Sequence, residues 1–361
     1  MATLIEKYSY IYAPFIKDSY RSDEAIFRTK YIKSWFILLV VSVLVVPLFL
    51  NNFQLYFLSH LGIAILGAMA LNMLVGYTGL ISLGHAAFIG VGSYTYAILS
   101  MRFHMPFYVS ILGSGIVAAG LGVVIGIPAL RIKGIYLAIA TLAFQFIASY
   151  TFLQWEAVTG GSNGITVSSP SLGPWKLSSN LSFYYLMLIL LFCGLWMAKN
   201  IFRSKYGRAM MAIRDNDISA EVIGVPVFGY KILSFVMSSF YAGITGALFA
   251  ILMRNVNPTF FGLTRSIEYL AMVIVGGMGS ILGSILGASL MIFMPELLNS
   301  VVAMLAKFAK NPEEIVIILA PVKLLVLGFF IMFFIHVEPT GLAGIWRKIR
   351  DYLRIWPLPY V

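Results

Sequence analysis

The chain is poor in charged residues and in cysteine. Only 11% of its 361 residues are charged, compared with about 25% in soluble domains, and 60% are hydrophobic. A water-soluble fold cannot bury so much apolar surface, because chain length limits the share that folding hides. The single cysteine, Cys193, excludes a disulfide scaffold, and the four histidines show no metal-ligand spacing. We therefore expect neither an ordinary soluble enzyme nor a metalloprotein.

Apolar runs long enough to cross a membrane recur along the chain. A membrane helix needs about 20 mostly apolar residues. No barrel-type alternation is present, so the sequence predicts an all-α polytopic membrane protein. One apolar run is too long for a single span, and we divide it at Gly276, Gly277 and Gly279, which interrupt it. The ten predicted spans are residues 34–50, 55–75, 80–100, 107–129, 134–153, 182–199, 231–253, 266–278, 280–298 and 315–337.

Basic residues predict the orientation of these spans. With a cytoplasmic N-terminus, eighteen lysines and arginines fall on the cytoplasmic side and six on the opposite side. The positive-inside rule therefore predicts that both termini and the loop 200–230 are cytoplasmic. This distribution accounts for the net charge of +11, so nucleic-acid binding is not expected. The cytoplasmic basic residues lie in segments 1–33, 131–133, 199–231 and 347–354.

Two glycine-rich segments resemble each other. Residues 75–79 (VGYTG) and 275–279 (VGGMG) stand 200 positions apart, and a Leu-Gly pair follows each copy. With an odd number of spans between them, the copies have opposite orientations, as in the inverted repeats of many transporters. The alternative is chance, because glycine motifs are common in membrane helices.

The loop 200–230 is the most informative polar segment. A helix is predicted over 205–214, and Asn216 or Asp217 can cap a second, short helix of about 218–223. Gly224 and Pro226 then end this helix. A short capped helix outside the membrane is typical of a docking element, and a solvated loop is the alternative. The polar contacts of such an element would come from Arg214, Asp215 and Glu221.

The C-terminal segment is predicted to be an amphipathic helix. In 345–356, Trp346, Ile349, Leu353 and Trp356 follow helical spacing, and basic residues fill the positions between them. Such a helix lies on the membrane surface in contact with lipid, whereas a frayed basic tail is the alternative. The predicted organisation is an N-terminal cytoplasmic segment 1–33, a transmembrane domain 34–344 and a basic tail 345–361.

Six segments resemble the M-type permease subunit of branched-chain amino acid (Liv) ABC importers. The resemblance covers about 60–344, and the residues 83–87 (LGHAA) fit the M-type subunit better than its H-type partner. One departure is Leu80, where the family often has glutamine, and this affects a polar position near the pathway. The segments are 71–96 (LNMLVGYTGLISLGHAAFIGVGSYTY), 131–144 (RIKGIYLAIATLAF), 159–165 (TGGSNGI), 207–224 (GRAMMAIRDNDISAEVIG), 274–288 (IVGGMGSILGSILGA) and 339–344 (PTGLAG).

The resemblance implies an architecture and a set of partners. It implies about ten transmembrane helices in a 5+5 inverted repeat, as in vitamin B12 and iron-siderophore importers. It also implies a coupling helix over 216–224 that inserts into a cleft on an ATPase subunit. The implied partners are a second permease, two P-loop ATPase subunits and an extracytoplasmic binding protein at a bacterial or archaeal plasma membrane. The coupling residues that match the family motif are Arg208, Arg214, Asp215, Asn216, Ala220, Glu221 and Gly224.

The function implied is that of a permease subunit that translocates branched-chain or related apolar amino acids. The sequence contains no G-x-x-x-x-G-K-[ST] motif, so we expect neither an enzyme nor a cofactor, and partners would hydrolyse ATP. Similar importers carry urea, amides or aromatic acids, and these substrates stay open. An ion-coupled secondary transporter is the alternative, weakened because a chain of buried Lys, Glu and His is missing. A membrane-embedded enzyme would need clustered acids or nucleophiles, which are also missing.

Polar residues inside the predicted spans are candidates for lining the path. Ionisable residues within spans are functional candidates, but this chain has few. For His85, a structural bond to a backbone carbonyl is favoured over a place on the path. The other polar side chains are equally suited to bonding one helix to another. The candidate lining residues are Asn72, Gly76, Ser82, His85, Thr141, Gln145 and Gly276.

Overall fold

The structure, a computed structural model, describes residues 30–306 apart from 133, 169, 173, 174, 177 and 178. It also describes residues 325, 328, 329, 332–334, 336, 338 and 340–355. Residues 1–29, most of the tenth predicted span at 315–337 and the end of the predicted tail therefore lie outside the described residues.

Most of the described chain is helical. Short 3-10 helices cover Val46–Phe49, Gly161–Asn163 and Pro258–Phe261, and a single α-helical turn covers Glu156–Thr159. The longer helices are α1 (Lys30–Val45), α2 (Asn52–Thr78), α3 (His85–Met101), α4 (Phe107–Ala129), α5 (Ile135–Gln154), α6 (Asn180–Arg203), α7 (Lys205–Asp215), α8 (Asp217–Val222), α9 (Val227–Met253), α10 (Leu263–Gly276), α11 (Ile281–Ala306) and α12 (Gly341–Ile355).

The chain forms two compact units, Met1–Leu55 and Tyr56–Val361. In the first unit, α1 continues into the 3-10 helix Val46–Phe49. Pro47 lies in the first turn of that helix, where a backbone N–H would have no partner within the helix, so its absence costs nothing. The second unit contains α2 from Tyr56 onward and all the later helices.

Six of the described helices are long and apolar enough to cross a membrane. They are α2, α4, α5, α6, α9 and the segment Ile281–Ser300 of α11. Helices α3 and α10 are shorter, with 17 and 14 residues. Each predicted span from 34–50 to 280–298 coincides with a helix. The predicted all-α polytopic class is therefore confirmed, and the full count of ten spans stays a prediction.

The predicted break in the long apolar stretch is present. Helix α10 ends at Gly276 and α11 begins at Ile281. The two helices then pack closely, because a Cβ on Gly287 of α11 would lie 1.9 Å from the carbonyl oxygen of Met272 in α10. The glycines of α11 thus let two backbones meet, as small residues do in membrane bundles.

Helix α9 packs against α3 and α4 through small residues. A Cβ on Gly92 of α3 would lie 2.2 Å from the carbonyl oxygen of Gly243 in α9. Ser93 donates a hydrogen bond to the carbonyl oxygen of Gly246 at 2.7 Å. On the α4 side, a Cβ on Gly122 would lie 2.5 Å from the hydroxyl oxygen of Ser239. These contacts make α9 a central element of the second unit.

Two short antiparallel ladders lie in the connections. Strand β1 (Ile165–Thr166) pairs with β4 (Asn255–Val256), and β2 (Ser171–Leu172) pairs with β3 (Trp175–Lys176). Asn257 adds a hydrogen bond from its side-chain amide to the carbonyl oxygen of Ser162 at 2.9 Å. The connection after α5 is therefore tied to the end of α9.

Helix α12 is buried at its beginning and exposed afterwards. Gly341 packs on the backbone of Gly277 in the α10–α11 turn. From Trp346 onward the side chains whose exposure is described are exposed, Ile349 among them. Lys348 hydrogen-bonds to the Glu338 carboxylate and, together with Thr340, holds the pKa of that carboxyl below its usual value. The helix begins earlier than the predicted limit of 345.

Candidate functional site

The loop between α6 and α9 folds into two short helices, α7 and α8, which we call the loop helix pair (Lys205–Asp215 and Asp217–Val222). The Ser204 hydroxyl accepts a hydrogen bond from the Tyr206 N–H at 3.2 Å and caps α7. The Asn216 side chain accepts one from the Ser219 N–H at 2.9 Å and caps α8. Gly224, with φ of +88°, follows the end of α8. The predicted short helix and its asparagine cap are confirmed.

Helix α8 is attached on one side and bare on the other. Ala220 is buried, and Asp217 forms a salt bridge with Lys231 of α9 at 3.2 Å. On the bare side, Ile218, Val222 and, directly after the helix, Ile223 have exposed fractions of 66%, 82% and 75%. Sequence reasoning emphasised the polar residues of this helix and missed these three. Val222 and Ile223 follow Ile218 by four and five positions, and this spacing was the sequence signal that could have indicated them.

The other predicted coupling residues differ in what they contact. Asp215, Glu221 and Gly224 are exposed. Arg208 lies on α7 but points back, donating a hydrogen bond to the carbonyl oxygen of Arg203 at 3.1 Å. Arg214 reaches away from the loop towards the membrane helices. The structure therefore brings Arg214, Asp215 and the cap of α8 together, whereas Arg208 stays apart.

Arg214 lies against the ends of two helices. Its Nη1 donates a hydrogen bond to the carbonyl oxygen of Gly76 at 3.0 Å. A Cβ on Gly79 would lie 3.3 Å from the Arg214 Cγ, and a Cβ on Gly279 would lie 2.8 Å from its Nη1. We call Gly76, Gly79 and Gly279 the glycine notch. Gly79 and Gly279 have φ of +73° and +74°, a region that favours glycine.

Asn72 joins α2 to the turn between α10 and α11. Its amide oxygen accepts a hydrogen bond from the Gly279 N–H at 2.9 Å. Its amide nitrogen donates to the Ser280 carbonyl oxygen at 2.9 Å and to the Ser284 hydroxyl at 2.8 Å. Asn72 is fully buried, so these bonds replace the ones that water would make. The turn is thereby fixed to α2.

The two glycine-rich copies of the sequence meet each other in the structure. A Cβ on Gly76 would lie 2.2 Å from the backbone nitrogen of Gly279. Both copies end a helix, α2 or α10, and both ends contact Arg214. Interpreting this pair as oppositely oriented is therefore wrong, because both helices deliver their C-terminal ends to one place.

Three further path candidates are buried and bonded. His85 Nε2 lies 3.0 Å from the carbonyl oxygen of Gly67, as the structural interpretation of this residue predicts. The Thr141 hydroxyl accepts a hydrogen bond from the Leu83 N–H at 3.0 Å. The buried Ser82 hydroxyl accepts a hydrogen bond from the Gly84 N–H at 3.4 Å. These residues connect the beginning of α3 to α2 and α5.

Gln145 of α5 uses both ends of its amide. The oxygen accepts hydrogen bonds from the Ala87 N–H at 2.9 Å and the Ser266 hydroxyl at 3.1 Å. The nitrogen donates to the Phe261 carbonyl oxygen at 2.6 Å. Gln145 thus ties α5 to α3 and to the beginning of α10. Like Asn72, it bonds helix to helix in this structure, and its place on a path stays a prediction.

A cavity of about 390 Å³ separates the loop helix pair from the membrane helices. Its walls come from the α2–α3 turn, the α4–α5 connection and the loop residues 213–218. Leu80, the residue that departs from the family pattern, lies in the wall. Arg214 and Lys231 line the cavity together with Asp217. Beside this cavity, Gly207, Met210 and Ile213 of α7 are buried.

Comparison with known proteins gives a consistent result. Residues 53–335 match the family described as branched-chain amino acid transport system / permease component. The chain is 33% identical over 261 residues to the high-affinity branched-chain amino acid transport system permease protein LivM of Salmonella typhimurium, covering 66% of this chain and 61% of that protein. It thus spans less than two thirds of the length of LivM.

Two further matches cover a larger share of the matched protein. The permease protein LivH of Salmonella typhimurium is 27% identical over 296 residues, which cover 77% of this chain and 90% of LivH. Among solved structures, PsaBC from Streptococcus pneumoniae in complex with Fab matches with a TM-score of 0.41 and 13% identity. That match covers 83% of this chain and 96% of the PsaBC chain.

Proposed function

The chain belongs to the branched-chain amino acid transport permease family, and we propose that it is the permease subunit of an ATP-driven importer. Its substrate is a branched-chain or related apolar amino acid, delivered by an extracytoplasmic binding protein. Its partners are a second permease and two ATPase subunits in a bacterial or archaeal plasma membrane. The high-affinity LivM protein, which this chain resembles, is a transport system permease for branched-chain amino acids.

The exposed apolar side of α8 carries this proposal. Helix α8 has six residues, too few to cross a membrane, and it leaves Ile218, Val222 and Ile223 uncovered. Contiguous exposed apolar side chains outside the bilayer mark a protein interaction site. A short helix that inserts its side chains into a groove is a common recognition mode. The groove belongs to an ATPase subunit, and α8 is the coupling helix.

The predicted coupling residues have distinct roles in this proposal. Asn216 and Gly224 set where α8 begins and ends, and the buried Ala220 packs α8 against the rest of the protein. Asp215 and Glu221 are exposed and contact the rim of the groove, whereas Arg208 stabilises α7. Arg214 faces the membrane helices. The loop 200–230 is cytoplasmic in this scheme, as are both termini, because the basic residues concentrate on that side.

The ten-span 5+5 inverted repeat stays part of the proposal, with a different internal match. Helices α2 and α9 both have 27 residues, and both are mostly buried, over 83% and 72% of their most apolar stretch. A shorter helix of 17 or 14 residues follows each, and then one of 23 or 26. Helices α2 and α9 are the second and seventh predicted spans, and this offset of five gives them opposite orientations. The predicted fold of this chain resembles that of vitamin B12 and iron-siderophore importers.

The path is proposed to run along the helices that carry the candidate lining residues. Burial and bonding of these side chains favour a role in holding α2, α3, α5 and α10 in register around it. The basic helix α12 is proposed to lie on the cytoplasmic lipid surface, since its exposed side chains combine Trp346 and Ile349 with arginines.

Uptake in cells tests the coupling proposal. Cells that depend on this chain should accumulate radiolabelled leucine while ATP is present. Val222→Asp should reduce uptake at least tenfold at an unchanged membrane level, because a carboxylate in an apolar contact costs several kcal/mol and 1.4 kcal/mol is already tenfold. Val222→Ile is the control and should stay within twofold of the unchanged chain. Normal uptake by Val222→Asp, or uptake that collapses with the proton gradient while ATP remains, contradicts the proposal.

A further inference from the structure

Arg214 is a side chain of the loop that reaches the membrane helices at two helix ends. It stands in the last turn of α7. It contacts Gly79, directly after α2, and Gly279, between α10 and α11. The C-terminal end of a helix carries a partial negative charge that attracts a cation. One guanidinium therefore lies beside two such ends.

The glycine notch is shaped for this side chain. At Gly279, a Cβ would lie 2.8 Å from the Arg214 Nη1 and 2.9 Å from the Gly76 carbonyl oxygen. A methyl group there would push against the guanidinium or the backbone of α2. Because Gly76 and Gly279 are already in backbone contact, the notch cannot widen without separating α2 from the α10–α11 turn. A movement of Arg214 therefore acts on both elements together.

The opposite edge of the guanidinium faces outward. Its Nε and Nη2 donate to one carboxylate oxygen of Asp215, at 3.0 and 2.9 Å, and the Asp215 side chain is 68% exposed. Arginine presents donors on several edges of one rigid plane, which a lysine ammonium does not. Arg214 thus joins an exposed acid on the docking side to a buried carbonyl of α2.

The surroundings allow this side chain to move. The cavity of about 390 Å³ lies beside Arg214, between the loop helix pair and the α2–α3 turn. In contrast, the α8 side of the loop is held to α9 by the Lys231–Asp217 salt bridge. A displacement of α7 therefore reaches the notch through the Arg214 side chain, which lines the cavity and contacts the notch.

From this geometry we propose that Arg214 is the positioning residue through which the loop helix pair moves α2 and the α10–α11 turn. The proposal rests on the proposed importer function. Motion of the ATPase subunits displaces α7 and α8, and the guanidinium carries that displacement to the glycine notch. Asn72, which bonds the turn to α2, makes both elements move as one.

The test uses the complete complex in proteoliposomes with its binding protein. Substrate uptake and ATP hydrolysis are measured on the same samples for the unchanged complex, Arg214→Gln and Lys205→Gln. Arg214→Gln should reduce uptake per ATP hydrolysed at least tenfold while hydrolysis changes by less than twofold. Lys205→Gln is the matched control on α7, since it removes an exposed positive charge whose described contact is with the ring of the neighbouring Tyr206. It should keep the ratio within twofold.

Assembly is checked by co-elution of all subunits and by the melting temperature of each complex. If Arg214→Gln does not assemble, Arg214→Lys decides, because it keeps the charge beside the helix ends but loses the two-sided contact. It should lower the ratio at least threefold. A ratio equal to that of the unchanged complex in whichever variant assembles overturns the Arg214 proposal alone. An unchanged complex that moves no substrate with ATP overturns the proposed function, and the Arg214 proposal with it.

Discussion

At the residue scale, two glycines decide how closely α2 approaches the α10–α11 turn. The backbone nitrogen of Gly279 lies 2.2 Å from where a Cβ on Gly76 would stand. The contact therefore requires that Gly76 has no side chain, and the hydrogen bonds of Asn72 hold the turn in place.

Gly76→Ala should destabilise the protein. Overpacking of a tight contact costs about 1–3 kcal/mol, and here the added Cβ would lie 1.9 Å from the side-chain oxygen of Asn72 and 2.2 Å from the backbone nitrogen of Gly279. The melting temperature in detergent should fall by several degrees. Gly120→Ala is the matched control, because a Cβ on Gly120 of α4 meets no atom within 4 Å, and its melting temperature should not fall. Equal melting temperatures for both variants would contradict the described notch.

The sequence could predict several residues of the site but not their contacts. Asn216 was recognisable as a cap because it precedes a short helix that ends in a glycine. Asn72 and Gln145 were recognisable as buried polar residues. Which distant groups they satisfy depends on how α2, α5 and α10 pack. Ser280 and Ser284, the partners of Asn72, lie more than 200 positions away.

At the element scale, the loop helix pair and α12 both present apolar side chains outside the predicted spans. Helix α8 presents a compact set that fits a protein groove. Helix α12 presents Trp346, Ile349 and Tyr352 along several turns, alternating with basic residues. A long basic and apolar helix suits a lipid surface. The two elements are therefore expected to have different partners.

An environment-sensitive fluorophore tests where α12 lies. Cysteines are placed at Ile349 and at Asp351 in a Cys193→Ser background, which removes the chain's one native cysteine. In vesicles with anionic lipid, the label at Ile349 should show a blue-shifted emission and quenching by a lipid-borne quencher. The label at Asp351, on the polar side, should show neither. The same emission and quenching at both positions would mean that α12 does not lie on the lipid surface.

The local sequence predicted where helices end, but it did not predict which side chains are exposed. The glycines at 276–279 predicted the break between α10 and α11, and the structure has it. The bare side of α8 was missed because its exposure depends on which side of the helix meets α9. A six-residue helix is too short for its hydrophobic pattern to fix that side.

At the scale of the whole molecule, the predicted topology places each connection on the side of the membrane that an importer subunit requires. Placing the loop 200–230 in the cytoplasm puts α8 within reach of soluble ATPases. The connection after α5, with its β1–β4 ladder, then lies on the outside. The inverted repeat rests on the match between α2–α4 and α9–α11, since the glycine-rich copies lie together.

Labelling from each side of the membrane tests this topology. In the Cys193→Ser background, a cysteine at Ser219 should react with an impermeant thiol reagent only in inside-out vesicles. A cysteine at Ser162 should react only in intact cells or right-side-out vesicles. Both positions are exposed, so a failure to react is not caused by burial. The reverse pattern would overturn the orientation that the basic residues predict.

The central claim is that this chain works as one permease subunit of an ATP-driven importer. The most direct measurement is to purify the tagged chain in mild detergent from its native membrane and identify the co-purifying proteins by mass spectrometry. We expect a second permease and P-loop ATPase subunits in fixed proportion to the chain. Recovery of the chain alone or as a homo-oligomer, even after cross-linking in the membrane, would contradict the claim.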